Sequence, residues 1–88
     1  MNVVFKQSLA KDLQQVRDSA LLKRVQTAIE QIETAASLHE IRQLKKLAGN
    51  EFYYRVRIGN YRLGLRIEGN TITIVRFLHR KEIYRYFP

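Results

Sequence analysis

Residues 52–78 read FYYRVRIGNYRLGLRIEGNTITIVRFL, and their pattern is the strongest indication of the fold. Aromatic and β-branched residues dominate it, and apolar side chains alternate with polar ones, which is the period of a β-strand. The pairs Gly59-Asn60 and Gly69-Asn70 interrupt it, and each glycine can supply the positive φ of a two-residue hairpin turn. The stretch therefore predicts three antiparallel strands, over about residues 52–58, 61–68 and 71–78.

Before this stretch, the spacing of apolar residues favours helices. Residues 2–5 read as a short first strand, and Ser8 is a candidate N-cap of a first helix. Asp18 is a candidate N-cap of a second helix. Ser37 and Glu40 fit a capping box that opens one further short turn. The apolar stripe of the second helix consists of residues three and four apart: Leu22, Val25, Ile29, Ile32 and Ala36.

Together these segments predict one α+β domain over residues 1–88, in the order β-α-α-β-β-β. We expect an antiparallel sheet packed on the two N-terminal helices, and a short helical tail over residues 80–87. No linker, repeat or low-complexity segment divides the chain.

The composition excludes several classes of protein. There is no cysteine, and there are only two histidines, so the sequence offers no disulfide framework and no convincing metal site. No apolar run approaches the ~20 residues that span a membrane, and the N-terminus does not read as a signal peptide. We therefore expect a cytoplasmic protein with no metal, no cofactor and no membrane partner.

The net charge of +8 lies entirely in the second half of the chain. Residues 1–40 carry five basic and five acidic side chains, whereas residues 41–88 carry eleven basic and three acidic ones. Crowding like charges on a sheet face opposes folding. This imbalance indicates an anionic ligand, and a polyphosphate backbone is the leading candidate.

The first hairpin locates that charge on one face of the sheet. A two-residue turn at Gly59-Asn60 places Arg57 opposite Arg62, Arg55 opposite Gly64 and Tyr53 opposite Arg66. Side chains alternate between the two faces of a strand, so the opposite face is almost entirely apolar and lies under the helices. The first face, here called the basic face, carries Tyr53, Arg55, Arg57, Arg62, Gly64 and Arg66.

The same rule across Gly69-Asn70 adds three residues of the last strand to the basic face. It places Thr73 opposite Arg66, Val75 opposite Gly64 and Phe77 opposite Arg62. Gly64 would leave an open spot where a ligand can approach the sheet. Arg76 falls on the core side, from which it would have to reach out to water at the sheet edge.

These side chains suit RNA. Arginine binds phosphate in a bidentate manner, and aromatic side chains can stack on unpaired bases. A solvated charged face is the plain alternative, but of the acids that usually separate the charges only Glu68 lies on this face. The predicted RNA-binding residues are Lys45, Lys46, Tyr53, Arg66, Phe77 and Lys81.

Two motifs resemble those of a known family. Residues 46–49 (KLAG), followed after four residues by 54–63 (YRVRIGNYRL), are similar to the KLxG…YRIRxGxYR motif of the RelE/ParE toxin superfamily. Residues 79–84 (HRKEIY) resemble its C-terminal HRxxxY motif. The resemblance covers essentially the whole chain, and its fold is the one predicted above.

The resemblance implies the toxin of a type II toxin–antitoxin pair. RelE-like members are ribosome-dependent mRNA endonucleases that need no metal, in which the ribose 2′-OH attacks the adjacent phosphate in the ribosomal A site. The implied partners are a cognate antitoxin, which we expect to be acidic and partly disordered, the ribosome and its mRNA. The toxin–antitoxin complex can oligomerise.

The resemblance also implies roles for individual residues. Arg62 matches the phosphate-binding arginine, Arg80 the arginine that assists the leaving group, and Tyr84 the tyrosine that orients the nucleotide. Arg55 and Arg57 stand where the best-known RelE enzyme has lysines, and guanidinium does not act as a base. The general base stays open between His79, Lys46, Tyr84 and the ribosome itself.

Two other functions remain open at this point. ParE-like members keep the fold, lack most of the basic catalytic residues and poison DNA gyrase. A non-catalytic RNA-binding homologue would grip phosphate with the same face and cleave nothing.

Overall fold

Five strands form one sheet, and two helices lie across one of its faces. The computed structural model describes residues 1–88. Its strands are β1 (Asn2–Phe5), β2 (Leu44–Lys46), β3 (Tyr53–Ile58), β4 (Tyr61–Glu68) and β5 (Thr71–His79). Its helices are α1 (Gln7–Gln14), α2 (Ser19–Thr34) and the short α3 (Ile83–Tyr86), with a 3-10 turn at Leu38–Glu40.

The strands follow the order β1-β5-β4-β3-β2, and the sheet is mixed. β1 runs parallel to β5, while the other neighbours are antiparallel. The α+β class and the covering helices are confirmed, but the expectation of a purely antiparallel sheet is wrong at β1. β2 was not predicted, because three residues are too few to display an alternating pattern.

One of the three predicted helix caps has the expected hydrogen bonds. The Asp18 carboxylate accepts from the backbone N–H groups of Ala20 and Leu21, at 3.0 and 3.2 Å. Ser8 is not a cap, because α1 already begins at Gln7. Its hydroxyl instead donates to the Val75 carbonyl, 2.6 Å away, and so ties α1 to β5. The turn after Ser37 forms without a hydrogen bond from that side chain.

The core lies between the helices and the apolar face of the sheet. Val25 and Ile32 of α2 are buried there, but Leu22 is 37% exposed. The helix ends at Thr34, so Ala35 rather than Ala36 is buried. The strands contribute most of the buried residues of this core: Val56, Ile58, Leu63, Leu65, Ile67, Ile72, Ile74 and Phe77.

The predicted register of the first hairpin is confirmed at every pair. Arg57 lies opposite Arg62, Arg55 opposite Gly64 and Tyr53 opposite Arg66. Of the two turn residues only Gly59 has a positive φ, 59°, which is typical of a type II′ turn. The register of the basic face on β3 and β4 therefore follows from the turn alone.

In the second hairpin the predicted pairing holds from the turn to Leu65 and fails beyond that residue. A β-bulge shifts the pairing between Leu65 and Gly64, so that Gly64 faces Arg76 instead of Val75. Beyond the bulge Phe77 faces Leu63, not Arg62, and belongs to the core with 3% exposure. Its ring stacks on that of Tyr61 at a centroid distance of 5.1 Å. Phe77 is therefore not available to stack on a base, and that expectation is wrong.

The bulge also changes the environment of Arg76. Its Nε and Nη2 atoms donate to the two carboxylate oxygens of Asp12, at 2.7 and 3.0 Å. The same carboxylate accepts the backbone N–H of Phe77 at 2.9 Å. Hydrogen bonding to Asp12 raises the pKa of Arg76, against the opposing effect of burial. Arg76 thus anchors α1 to the bulge and does not reach out to water.

Gln43 is the one residue other than glycine with a positive φ, 62°. Its carbonyl accepts the Arg57 N–H at 3.3 Å and Nη1 of Arg55 at 3.2 Å. We expect Gln43→Val to lower the free energy of unfolding by about 1–2 kcal/mol, because a β-branched side chain is strained in this region. Gln43→Gly should stay within about 0.5 kcal/mol of wild type. Urea denaturation of both variants measures this, and equal stabilities would contradict the conformational argument.

None of the helices combines the length and the hydrophobicity that a membrane-spanning helix requires.

Candidate functional site

The predicted catalytic residues converge at one end of the basic face, beside the turn between β3 and β4. Arg57 and Arg62 are directly opposed across the hairpin. The backbone N–H of Arg80 donates to the Asn60 carbonyl at 2.8 Å, which fixes the start of the tail beside the same turn. We refer below to the arginine cluster, which consists of Arg55, Arg57, Arg62 and Arg80.

Arg62 lies at the centre of this cluster. Desolvation lowers the pKa of its guanidinium, and the charges of Arg55, Arg57 and Arg80 lower it further, whereas Tyr84 acts in the opposite direction. Nη1 of Arg62 donates to the carbonyls of Gly59 and Tyr61, at 3.0 and 2.9 Å. Its Nε and Nη2 hydrogens remain free to bind an oxyanion.

No carboxylate neutralises the arginine cluster. The molecule has two ion pairs between side chains, Arg66 with Glu68 and Arg76 with Asp12, and neither involves the cluster. Arg55 donates from Nη1 to the Gln43 carbonyl, but its Nε is buried without a partner. A buried donor without an acceptor is unfavourable for folding.

The C-terminal tail crosses the basic face next to the cluster. Ile83 and Phe87 are fully or almost fully buried, at 0% and 2% exposure, and form a second small core with Leu47. The Phe87 ring lies over Gly64, where three ring atoms are 3.0 Å from the ideal position of a Cβ. The expectation of an open spot at Gly64 is therefore wrong, because Phe87 fills it.

The tail presents Tyr84 to the cluster. Since Ile83 and Phe87 point into the sheet, Tyr84 between them is turned outward and is 65% exposed. It nevertheless lies within electrostatic range of Arg62. The contact of Phe87 with Gly64 thus holds Tyr84 in place.

A substitution at Gly64 can test whether this contact holds the tail on the sheet. A larger side chain in Gly64→Val has to occupy the space of the Phe87 ring, which costs about 1–3 kcal/mol and should release the tail. We expect trypsin to cut after Arg85 about tenfold faster or more. Thr71→Val, on the same strand face at the far end of β5 and outside the cleft lined by the tail, is the matched control. An unchanged cleavage rate in Gly64→Val would mean that Phe87 does not hold the tail.

The tail divides the basic face, so Arg66 is separate from the cluster. Arg66 pairs with Glu68 at 2.8 Å and lies over the Phe52 ring at 5.1 Å. Its hydrogen bond to Glu68 is the main cause that raises its pKa. Tyr53 packs edge-on against Phe87, with ring centroids 5.4 Å apart. The face predicted as one surface is thus two, and only one carries unpaired arginines.

The two candidate bases lie on the other face of the sheet. His79 is opposite Tyr61, contacts that ring edge-on at 5.2 Å, and accepts the Lys81 N–H on its Nδ1 at 3.2 Å. Lys46 is opposite Tyr54, which packs on the helix-covered core. Neither side chain therefore shares the sheet face of Arg57 and Arg62, and the identity of the general base stays a prediction. Lys45, opposite Arg55, is the lysine that shares the basic face.

The remaining predicted residue, Lys81, is exposed in the turn before α3. Sequence reasoning missed Phe87, although its spacing of four from Ile83 in an otherwise polar tail was a usable signal for a buried helical pair. It also missed Gln43, for which the sequence contains no signal.

Comparison with known proteins gives one consistent result. A family model described as the ParE toxin of type II toxin–antitoxin systems matches residues 3–84. Toxin RelE3 of Methanocaldococcus jannaschii is 43% identical over 89 residues, which cover 100% of both chains.

Solved structures agree. The toxin–antitoxin complex RelB–RelE from Methanococcus jannaschii contains a chain that superposes with a TM-score of 0.81 and 41% identity, covering 97% of this chain and 99% of that one. The archaeal RelE–RelB complex from Pyrococcus horikoshii OT3 gives a TM-score of 0.71 at 24% identity, over 90% and 93%. At 24% identity, the similarity to the Pyrococcus horikoshii structure shows a shared fold and nothing more.

The fold and site define a small α+β protein with an unneutralised arginine cluster on one sheet face. The matches give its family. The chain belongs to the RelE/ParE superfamily, the toxins of type II toxin–antitoxin systems.

Proposed function

We propose that this toxin is a ribosome-dependent mRNA endonuclease. The observation that carries the proposal is the arginine cluster: three guanidinium groups and Tyr84 gather around Arg62, and no carboxylate is paired with the four arginines. A gyrase-binding surface has no need of such a cluster, whereas an anionic phosphorane requires positive charge around it.

In the proposed reaction the ribose 2′-oxygen attacks the adjacent phosphorus and the bond to the 5′-oxygen breaks. The products are a 2′,3′-cyclic phosphate and a free 5′-OH. Arg57 and Arg62 bind the non-bridging oxygens, where negative charge develops in the transition state. Arg80 assists the departing 5′-oxygen, and Tyr84 orients the nucleotide.

The cluster supplies charge rather than a base, because guanidinium stays protonated. With His79 and Lys46 on the opposite face, the 2′-OH proton is left to Tyr84 or to a group of the ribosome. We propose that the ribosome completes the site, which makes the toxin inactive on free RNA.

We further propose a cognate antitoxin as partner. Relatives of this chain have been crystallised as RelB–RelE antitoxin–toxin complexes. The charge of +8 on 88 residues favours an acidic antitoxin segment that folds on the toxin and neutralises the arginine cluster. Co-expression with a small acidic protein encoded beside the toxin should relieve growth arrest.

The experiment is mRNA mapping by primer extension in a reconstituted translation extract. We expect cuts within the codon that occupies the A site, and no cuts when ribosomes are omitted. Growth arrest together with DNA breaks, relieved by gyrase resistance mutations, would establish the gyrase alternative that the ParE description keeps open. Harmless overexpression with salt-dependent RNA binding would indicate a non-catalytic homologue.

A further inference from the structure

A second set of unpaired cations lies outside the arginine cluster. It surrounds a groove of about 470 Å³ between α2 and β3, with Lys23 and Arg24 on one wall and Arg42 and Arg57 on the other. Lys23 and Arg24 come from the half of the chain whose net charge is zero, so no charge pattern in the sequence indicates this groove. Only Arg57 belongs to both sites.

The groove follows one face of α2. Six residues of α2 at helical spacing line it: Ala20, Lys23, Arg24, Thr27, Ala28 and Gln31. Three of these six side chains, the two alanines and Thr27, are small. The guanidinium of Arg24 reaches the turn at Gly59, where Nη1 is 2.9 Å from the ideal Cβ position. At the other end Oε1 of Gln31 accepts the Arg42 N–H at 3.1 Å and joins the two walls.

The groove is uniformly positive. No Asp or Glu lines it, and none of its four cations takes part in an ion pair. The acids Glu30 and Glu33 of α2 line a separate cleft against α1. Because like charges repel in the free protein, the groove gains most from a ligand that carries several negative charges in a row.

We propose that this groove binds the sugar–phosphate backbone of base-paired RNA. No aromatic ring lines it, so it lacks the stacking surface by which proteins hold single strands. Paired RNA presents phosphates and 2′-hydroxyls with its bases already stacked. Arg57 makes the groove continuous with the arginine cluster, so a duplex held there lies beside the strand at the cluster.

An acidic peptide is the competing occupant, because most of the lining surface is apolar, but the apolar residues and the cations argue against it. A docked peptide helix needs pockets for its apolar side chains. The apolar residues here are either alanines or the nearly buried Val56 and Ile58, at 3% and 4% exposure. Arginine, which supplies three of the four cations, matches phosphate oxygens in a bidentate manner.

This inference rests on the proposed function for its biological meaning, but its test does not require cleavage. The measurement is fluorescence anisotropy with an RNA duplex of about 16 base pairs and with a single strand of equal charge, from 50 to 200 mM salt. The protein carries Arg62→Ala in every arm, so a failure of catalysis leaves the binding result unaffected.

The test variant combines Lys23→Gln, Arg24→Gln and Arg42→Gln. The control combines Lys6→Gln, Lys11→Gln and Arg17→Gln, which remove the same charge outside the groove. We expect the test variant to bind the duplex at least tenfold more weakly than the control, with a salt dependence flatter by about two to three ion equivalents. Thermal melting should be alike in the two variants.

Three results would overturn the proposal. Equal losses in both variants would mean that only total charge matters. A loss confined to the single strand would place unpaired RNA in the groove. Unchanged duplex binding, combined with lost binding of a glutamate-rich peptide, would make the groove a protein-docking site.

Discussion

Arg62→Ala should lower A-site mRNA cleavage by about 10²–10³-fold, the usual effect of removing one group that stabilises an oxyanionic transition state. The side chain lies at the centre of the arginine cluster, and the charges of Arg55, Arg57 and Arg80 act on it directly. Its two hydrogen bonds go to carbonyls of its own turn, one exposed and one partly buried, so we expect little loss of stability. Single-turnover cleavage on programmed ribosomes measures the effect.

The matched control is Arg17→Ala, which removes an exposed arginine distant in sequence from the cluster and should keep wild-type activity. Growth arrest that survives Arg62→Ala at equal protein levels would contradict the proposed site. Arg62→Lys separates charge from geometry: it keeps the charge but loses the fork of donors, so we expect only partial recovery of cleavage.

Asp12→Ala should be the most destabilising polar substitution in the chain, by about 2–3 kcal/mol. The carboxylate is 12% exposed and accepts three hydrogen bonds, two from Arg76 and one from the Phe77 N–H. Its loss leaves a half-buried guanidinium and a backbone donor without an acceptor. For a chain of this length the expected fall in Tm is roughly 10–20 °C.

Two further variants separate the contribution of the Arg76 ion pair to this stability from that of the hydrogen bond to the Phe77 N–H. Asp12→Asn retains an oxygen for the Phe77 N–H and should lose about half as much stability as Asp12→Ala. Arg76→Met removes the guanidinium but leaves the carboxylate its backbone donor, so its loss should also be smaller. A fall in Tm below about 3 °C in Asp12→Ala would show that the bulge does not depend on this carboxylate.

The part of the site on β3 and β4 could be predicted because its register is local. A two-residue Gly-Asn turn fixes which residues face each other, and alternation then assigns every side chain to a face. Arg55, Arg57 and Arg62 were placed in this way, and the structure confirms each pair.

The errors arose where distant contacts decide the structure. The bulge beside Gly64 is bound by Asp12, which lies in another element and accepts hydrogen bonds from Arg76 and the Phe77 N–H. A glycine inside a strand was the only local sign of it. Once the bulge shifts the register by one residue, Phe77 moves from the basic face to the core.

The prediction of an open spot at Gly64 was wrong for the same reason. Phe87, 23 positions later in the sequence, folds back to cover it. Likewise the parallel pairing of β1 with β5 joins residues about 69 apart, and no local pattern indicates it. The groove cations combine Lys23 and Arg24 with Arg42 and Arg57, and only the packing of α2 beside β3 brings them together.

The 2′-OH attack can be tested with an mRNA that carries one 2′-deoxyribonucleotide at the scissile position, on ribosomes stalled with that codon in the A site. We expect the all-ribose mRNA to be cut to a 2′,3′-cyclic phosphate and a 5′-OH, and the single deoxy substitution to abolish the cut at that position. Equal cleavage of both mRNAs, or cleavage of neither by a toxin that still arrests growth, would contradict this mechanism.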